Sequence, residues 1–141
     1  MRKMINKMLF TVVLFVLSAA AVNAQDVAVI VNSGVSTSSL STSDLKAIYK
    51  GEKTTWSDGS TIVVYALKKT LPATKSFLES KAGMSLPEYN QFWQQAIFTG
   101  VGTPPKEFGS DDAMVQAVSS TPGAIGYVSA GVATGSAKVI N

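Results

Sequence analysis

The chain has no cysteine and no histidine, and its only arginine is Arg2. Without cysteine there is no disulfide, no thiolate nucleophile and no site for the lipid that holds an exported lipoprotein. Without histidine there is no imidazole metal ligand and no imidazole general base. Beyond Arg2 no guanidinium is available, so bidentate capture of an anion by a planar fork is excluded. Asp26, Asp44, Glu52, Asp58, Glu79, Glu88 and Glu107 are scattered. A metal site made of carboxylates needs several converging acids, and the spacing offers none.

Long apolar runs are scarce as well. The one candidate, Met8 to Val16, follows Arg2, Lys3 and Lys7 and leads into small residues from Leu17 to Ala24. A bilayer span needs about 20 apolar residues, so this layout predicts a cleaved secretory signal over residues 1–24, cut after Val22-Asn23-Ala24. The expected product is one domain, residues 25–141, in the periplasm and without a stable membrane anchor. Three of the 12 basic residues lie in the signal, so the remainder carries as many acids as bases. The sequence pI of about 9.2 therefore leaves no clustered basic footprint for nucleic acid.

Within that domain, Val27–Val31 (VAVIV) is an apolar, β-branched run that predicts a buried strand. Asn32 to Ser43 is a loop with eight Ser or Thr in twelve residues. Ser43 is expected to cap a helix through DLKAIYKG, with Leu45, Ile48 and Tyr49 inward and Gly51 at its end. Asp58-Gly59 predicts a turn and Ile62–Leu67 a second strand, continuous because both of its faces are covered. Pro72 is expected in the first turn of a helix ended by Gly83. Ser85 and Glu88 predict a capping box for a helix with Leu86, Tyr89, Phe92, Trp93, Ala96 and Ile97 on its buried side, closed by Gly100. Thr103-Pro104-Pro105 reads as a rigid connector. Ser110 is expected to cap a helix over Asp111–Ser119, and Ala124–Ser129 and Ala137–Ile140 are expected strands. This β-α-β-α-α-α-β-β order predicts an α/β domain with a small mixed sheet flanked by helices.

An enzyme finds little support. Asp111-Asp112 is the one adjacent carboxylate pair, but neighbours on a helix face different ways and acids suit a first turn. Serines and lysines are abundant, yet no spacing singles out a nucleophile pair. The stretch ALKKTLPATKSF, residues 66–77, is the remaining candidate. A helix starting near Pro72 turns the N–H groups of Ala73, Thr74 and Lys75 toward the space before it, with Lys68, Lys69 and Lys75 adding charge. From physics alone a turn with solvated lysines is the preferred reading, since nearly every helix has such an end.

Three ordered blocks extend this reading. LSTSDLKAIYKGEKTTWSDGSTIVVYAL, MSLPEYNQFWQQAIFTGVGTPP and TPGAIGYVS together resemble the phosphate-binding proteins of ABC transporters, which are periplasmic binding proteins of the two-lobed type. The resemblance rests on Leu45, Ile48, Tyr49 and Gly51; on Trp56, Asp58 and Gly59; on Trp93, Phe98 and Gly100; and on Pro122 to Tyr127. It implies one lobe of a type II periplasmic-binding-protein-like fold, a non-enzymatic role and no cofactor. The ligand implied is phosphate or a related oxyanion, bound by Lys68, Ala73, Thr74 and Lys75, in phosphate uptake or sensing.

The chain departs from the family pattern in two ways. It has room for one lobe only, so a second copy or a partner protein would have to supply the other. At the oxyanion-binding helix, where the family carries R-x-x-x-S-G-T, this sequence reads Lys68-Lys69-Thr70-Leu71-Pro72-Ala73-Thr74. Lysine keeps the charge but not the fork, and proline removes a donor. The binding expected is therefore weak. The alternative is a protein-interaction or structural module with a vestigial ligand site, whose exposed apolar surface is expected at the sheet edge or around the Ser/Thr-rich loop.

Overall fold

In the computed structural model, which describes residues 26–140, β1 (Val27–Val31) is followed by α1 (Thr42–Tyr49), β2 (Val63–Leu67), α2 (Pro72–Ser80) and α3 (Leu86–Thr99). Then come β3 (Lys106–Phe108), α4 (Asp111–Ser120), β4 (Ala124–Ser129) and β5 (Lys138–Ile140). The expected signal segment, residues 1–24, lies outside the described residues. The strands form one five-stranded sheet in the order β3-β2-β4-β1-β5. β2 runs parallel to β3 and β4, while β1 is antiparallel to β4 and β5. The small mixed sheet expected from the sequence is present.

One strand was not legible. Lys106–Phe108 pairs with Tyr65–Leu67 at the sheet edge, where only a connector was expected. Three residues without β-branching after two prolines give no strand signal, but a short, lysine-bearing strand is what a sheet edge tolerates.

Strand β4 shows how the layers are arranged, because successive side chains point to opposite faces. On one face, a Cβ placed on Gly126 would lie 2.4 Å from Met114 Sδ and 3.1 Å from Val118 Cγ2. Glycine at this position lets α4 close onto the sheet. On the other face Tyr127 stacks on Phe77 of α2 at 4.1 Å, and Phe77 meets Tyr49 of α1 edge-on at 4.7 Å. Helices therefore cover both faces, which is why β1 and β4 read as unbroken apolar runs. Buried Asn32 finishes α4: its Nδ2 donates to the carbonyls of Val118 (2.9 Å) and Ser119 (3.2 Å).

Helix starts follow the cap chemistry, with two corrections. Ser41, not Ser43, caps α1: its hydroxyl accepts from Asp44 N–H, and the Asp44 carboxylate accepts from Ser41 N–H. With several hydroxyl residues in a row, only the backbone path decides which one caps. Ser85 caps α3 as expected, but the Glu88 carboxylate meets Lys46 at 3.4 Å rather than reaching back. The full box belongs to Ser41 and Asp44 instead.

The buried stripe of α3 is also narrower than expected. Tyr89, Trp93 and Ala96 are buried, whereas Ile97 is 57% exposed. It follows Ala96 by one residue, about 100° further round the helix, and so points outward.

Candidate functional site

The carboxyl ends of the parallel strands β2, β3 and β4 share one edge of the sheet, the edge at which open α/β sheets place ligands. Here β2 leaves the sheet through a tight turn. Lys68 N–H donates to the Phe108 carbonyl (2.9 Å), Leu71 N–H to the Lys68 carbonyl (3.0 Å) and Thr74 N–H to the Leu71 carbonyl (3.1 Å). Helix α2 then starts with Pro72 at its first position and Leu71 as a cap residue that makes no side-chain bond. The other three described helices each begin under a serine hydroxyl, from Ser41, Ser85 and Ser110.

The four residues expected to bind an oxyanion divide into two pairs. Lys68 and Lys75 are exposed on either side of the α2 opening, and Ala73 and Thr74 are buried beneath it. The Thr74 hydroxyl is directed inward. It donates to the carbonyls of Leu67 (3.0 Å) and Lys68 (2.9 Å) and accepts from the Tyr127 hydroxyl at 3.0 Å. Tyr127 oxygen in turn accepts from Leu67 N–H at 3.1 Å. This arrangement accounts for every polar atom of both side chains and pins the end of β2 to the start of α2. Burial pushes the Tyr127 phenol up to about 12, against the opposing hydrogen bonds from Thr74 and Leu67. The phenol is neutral at ordinary pH and serves as a donor.

The lysines of this edge make no ion pair with a described acid, although Asp111 stands at the end of β4 and Glu107 on β3. Among the described residues the ion pairs join Lys46 to Glu88, Lys50 to Glu52 and Lys53 to Asp44, and none draws on Lys68, Lys69 or Lys75. Lys68 lies along Gly109, where a Cβ would sit 3.7 Å from its Cε and 3.9 Å from its Nζ. Lys69 Nζ stands 5.9 Å from the Tyr89 ring centroid. Asp111, one of the adjacent acids, accepts from Ser129 N–H at 3.1 Å and so ties α4 to the end of β4. Its role is structural, as the sequence suggested. Among the described residues no group of acidic side chains is placed to hold a metal. The α2 opening thus places exposed lysines beside a helix start that has no side-chain cap.

A profile for the PBP superfamily domain matches residues 17–139. The chain belongs to the PBP superfamily. Solved structures with the same fold include an ABC-type phosphate transport receptor from Vibrio cholerae (20% identity, TM-score 0.61). Another, from Clostridium perfringens, is assigned as a phosphate ABC transporter substrate-binding protein and was solved with bound phosphate (20% identity, TM-score 0.64). A third is PstS from Borrelia burgdorferi (18% identity, TM-score 0.62). Each match covers 81% of this chain but only 44%, 43% and 46% of the respective partner. This PBP superfamily chain thus spans less than half the length of those proteins, the extent of one lobe. No curated protein sequence matches it significantly. Among the described residues no helix is long and apolar enough to cross a membrane.

Most motif residues behind the resemblance hold this PBP lobe together, whereas Phe98 is 91% exposed. Trp56 Nε1 donates to the Gly123 carbonyl at 3.0 Å, joining the W-x-D-G turn to the P-G turn before β4. Trp93 Nε1 donates to the Tyr49 carbonyl at 3.0 Å, joining α3 to the end of α1. Asp58 accepts from Ser60 N–H (2.9 Å) and Ser60 Oγ (2.6 Å), shaping the turn that carries Trp56. Gly123 has φ 79°, and a Cβ there would lie 2.3 Å from the Thr61 carbonyl oxygen. Sequence reasoning missed the locking role of Tyr127. Its presence in the third block was the available signal, but nothing local linked it to Thr74, 53 residues away.

Proposed function

We propose that this chain is a secreted, periplasmic PBP-like domain that binds phosphate or a related oxyanion weakly at the opening of α2, in phosphate uptake or sensing. The observation that carries the reading is the set of unpaired lysines around a helix start with no side-chain cap, on the fold of phosphate-binding proteins. Lys68 and Lys75 supply charge at a helix start whose first-turn N–H groups add a partial positive charge, while Ala73, buried under the opening, forms its floor. Thr74, with its hydroxyl and N–H engaged internally, acts by holding the β2–α2 turn in shape.

Two exposed lysines and a helix end account for weak affinity only. Exposed charge pairs contribute about 1 kcal/mol or less each, and millimolar binding corresponds to about 4 kcal/mol. Tighter binding requires a second surface facing this edge, as in a two-lobed protein.

Titration with inorganic phosphate, followed by amide chemical shifts and melting temperature, tests the reading. Saturable shifts at residues 68–75 and a mass-action rise in Tm are expected, both lost in the Lys68→Ala/Lys75→Ala double variant. Unchanged shifts up to high millimolar phosphate would remove the binding reading and leave the interaction module.

A further inference from the structure

Sequence patterning and exposure single out the outer face of α3. We propose that this face is a homodimer interface, through which two copies of the chain pack α3 against α3, antiparallel about a two-fold axis. Phe98 is 91% exposed, Val101 80% and Ile97 57%. These make up three of the four large exposed hydrophobics among the described residues, so the apolar surface is concentrated at one helix end. It lies neither in the Ser/Thr-rich loop nor, apart from Val139, at the sheet edge.

Gln91, Gln94, Gln95 and Phe98 are spaced i, i+3, i+4, i+7. That is the four-residue frame into which a side chain of a facing helix inserts. With Ile97 they border a shallow open depression of about 510 Å³. Residues 91 and 98 stand about 10 Å apart along the axis. Antiparallel pairing centred near Gln94 and Gln95 therefore sets Phe98 of each copy over the Gln91 end of its partner. The surface carries its own knob and its own hole, the condition for an isologous contact.

Charge selects a second copy over other occupants. Gln91, Gln94, Gln95 and Phe98 are uncharged, and the antiparallel register sets Glu88, already paired with Lys46, opposite Val101 of the other copy rather than another acid, so two identical faces meet without like-charge repulsion. Each glutamine amide has both donors and an acceptor and can pair with an identical amide. An anionic membrane surface would call for free lysines or arginines beside the apolar residues, and Lys50, the lysine near Val101, is paired with Glu52 at 3.7 Å and lies over the Phe92 ring. The three apolar side chains expose roughly 400 Å² per copy. Two copies with their glutamine stems thus reach only the lower limit of about 1,000 Å² for a specific interface. The dimer is accordingly concentration-dependent rather than obligate. The end of α3 leads through residues 100–105 into the start of β3, so this face adjoins the edge opposite the α2 opening. It stands independently of anion binding.

Sedimentation of the purified chain over a range of concentrations tests the proposal. The average mass is expected to rise from monomer toward twice that value, while Phe98→Glu stays monomeric at every concentration with an unchanged melting curve. In a chain without cysteine, Gln94→Cys is expected to form a disulfide-linked dimer on oxidation, and Gln116→Cys on the exposed side of α4 is not. A constant monomer mass up to millimolar concentration would overturn the proposal, as would a Phe98→Glu variant that still dimerises. Phe98-dependent binding of a monomer to mixed zwitterionic and anionic vesicles would overturn it in favour of a lipid surface.

Discussion

Thr74 connects the candidate site to the stability of the fold. Its hydroxyl and that of Tyr127 satisfy each other and the backbone at the end of β2. Thr74→Val keeps the shape but takes a donor from the Leu67 and Lys68 carbonyls and leaves the Tyr127 hydroxyl only the Leu67 carbonyl, at 3.4 Å, to donate to. A buried polar group left without a partner costs about 1–3 kcal/mol, so a loss of that size in urea unfolding is expected. Tyr127→Phe is expected to cost a similar amount, because Leu67 N–H loses its acceptor. Since both variants break one network, the double variant should lose less than the sum of the two. Additive losses would show that the two hydroxyls act separately.

Among the elements, α1 gives the sharpest test, because its start differs from the sequence expectation. Ser41 and Ser43 are both exposed hydroxyl residues near the helix start, with their oxygens 3.0 Å apart. Only Ser41 has the extended backbone of a cap residue. Ser41→Ala is therefore expected to cost about 1 kcal/mol in chemical unfolding, with Ser43→Ala within about 0.5 kcal/mol of the parent. Equal effects would place the cap elsewhere. Helix α2 has no such device, and its start is held instead by Pro72, which presets φ, and by the Thr74–Tyr127 lock. An uncapped start beside unpaired lysines leaves room for an external acceptor, which is why the oxyanion reading belongs to this element and to no other described helix.

At the scale of the whole molecule, three tyrosines set the alkaline limit of stability. Burial raises the Tyr49, Tyr89 and Tyr127 phenols in the folded state, Tyr127 to about 12, from an ordinary value near 10. A phenol whose folded value is raised holds its proton more tightly in the native state. Its contribution is complete below about pH 10 and is lost as pH rises from there through the folded value. Stability is therefore expected to fall steeply between about pH 10 and 12, as seen in urea midpoints at rising pH. Tyr127→Phe should lessen that slope while lowering stability at neutral pH. A flat profile through pH 12 would show that these phenols are not buried together.

The α/β architecture, the positions of the interior strands β1, β2 and β4 and the starts of α3 and α4 were written locally, in apolar runs and serine caps, because such signals act over a few residues. The three motif blocks carried the superfamily for the same reason: each contains the turn or cap it builds. What required the tertiary structure was whatever joins distant segments. The edge strand β3 exists only because β2 offers it a partner, and Ile97 faces outward only because the neighbours of α3 leave that side open. Thr74, which local chemistry offered equally to a bound anion, was claimed by Tyr127 and two carbonyls. A hydroxyl takes the partner that packing brings within about 3 Å, and no span of adjacent residues says which one that will be.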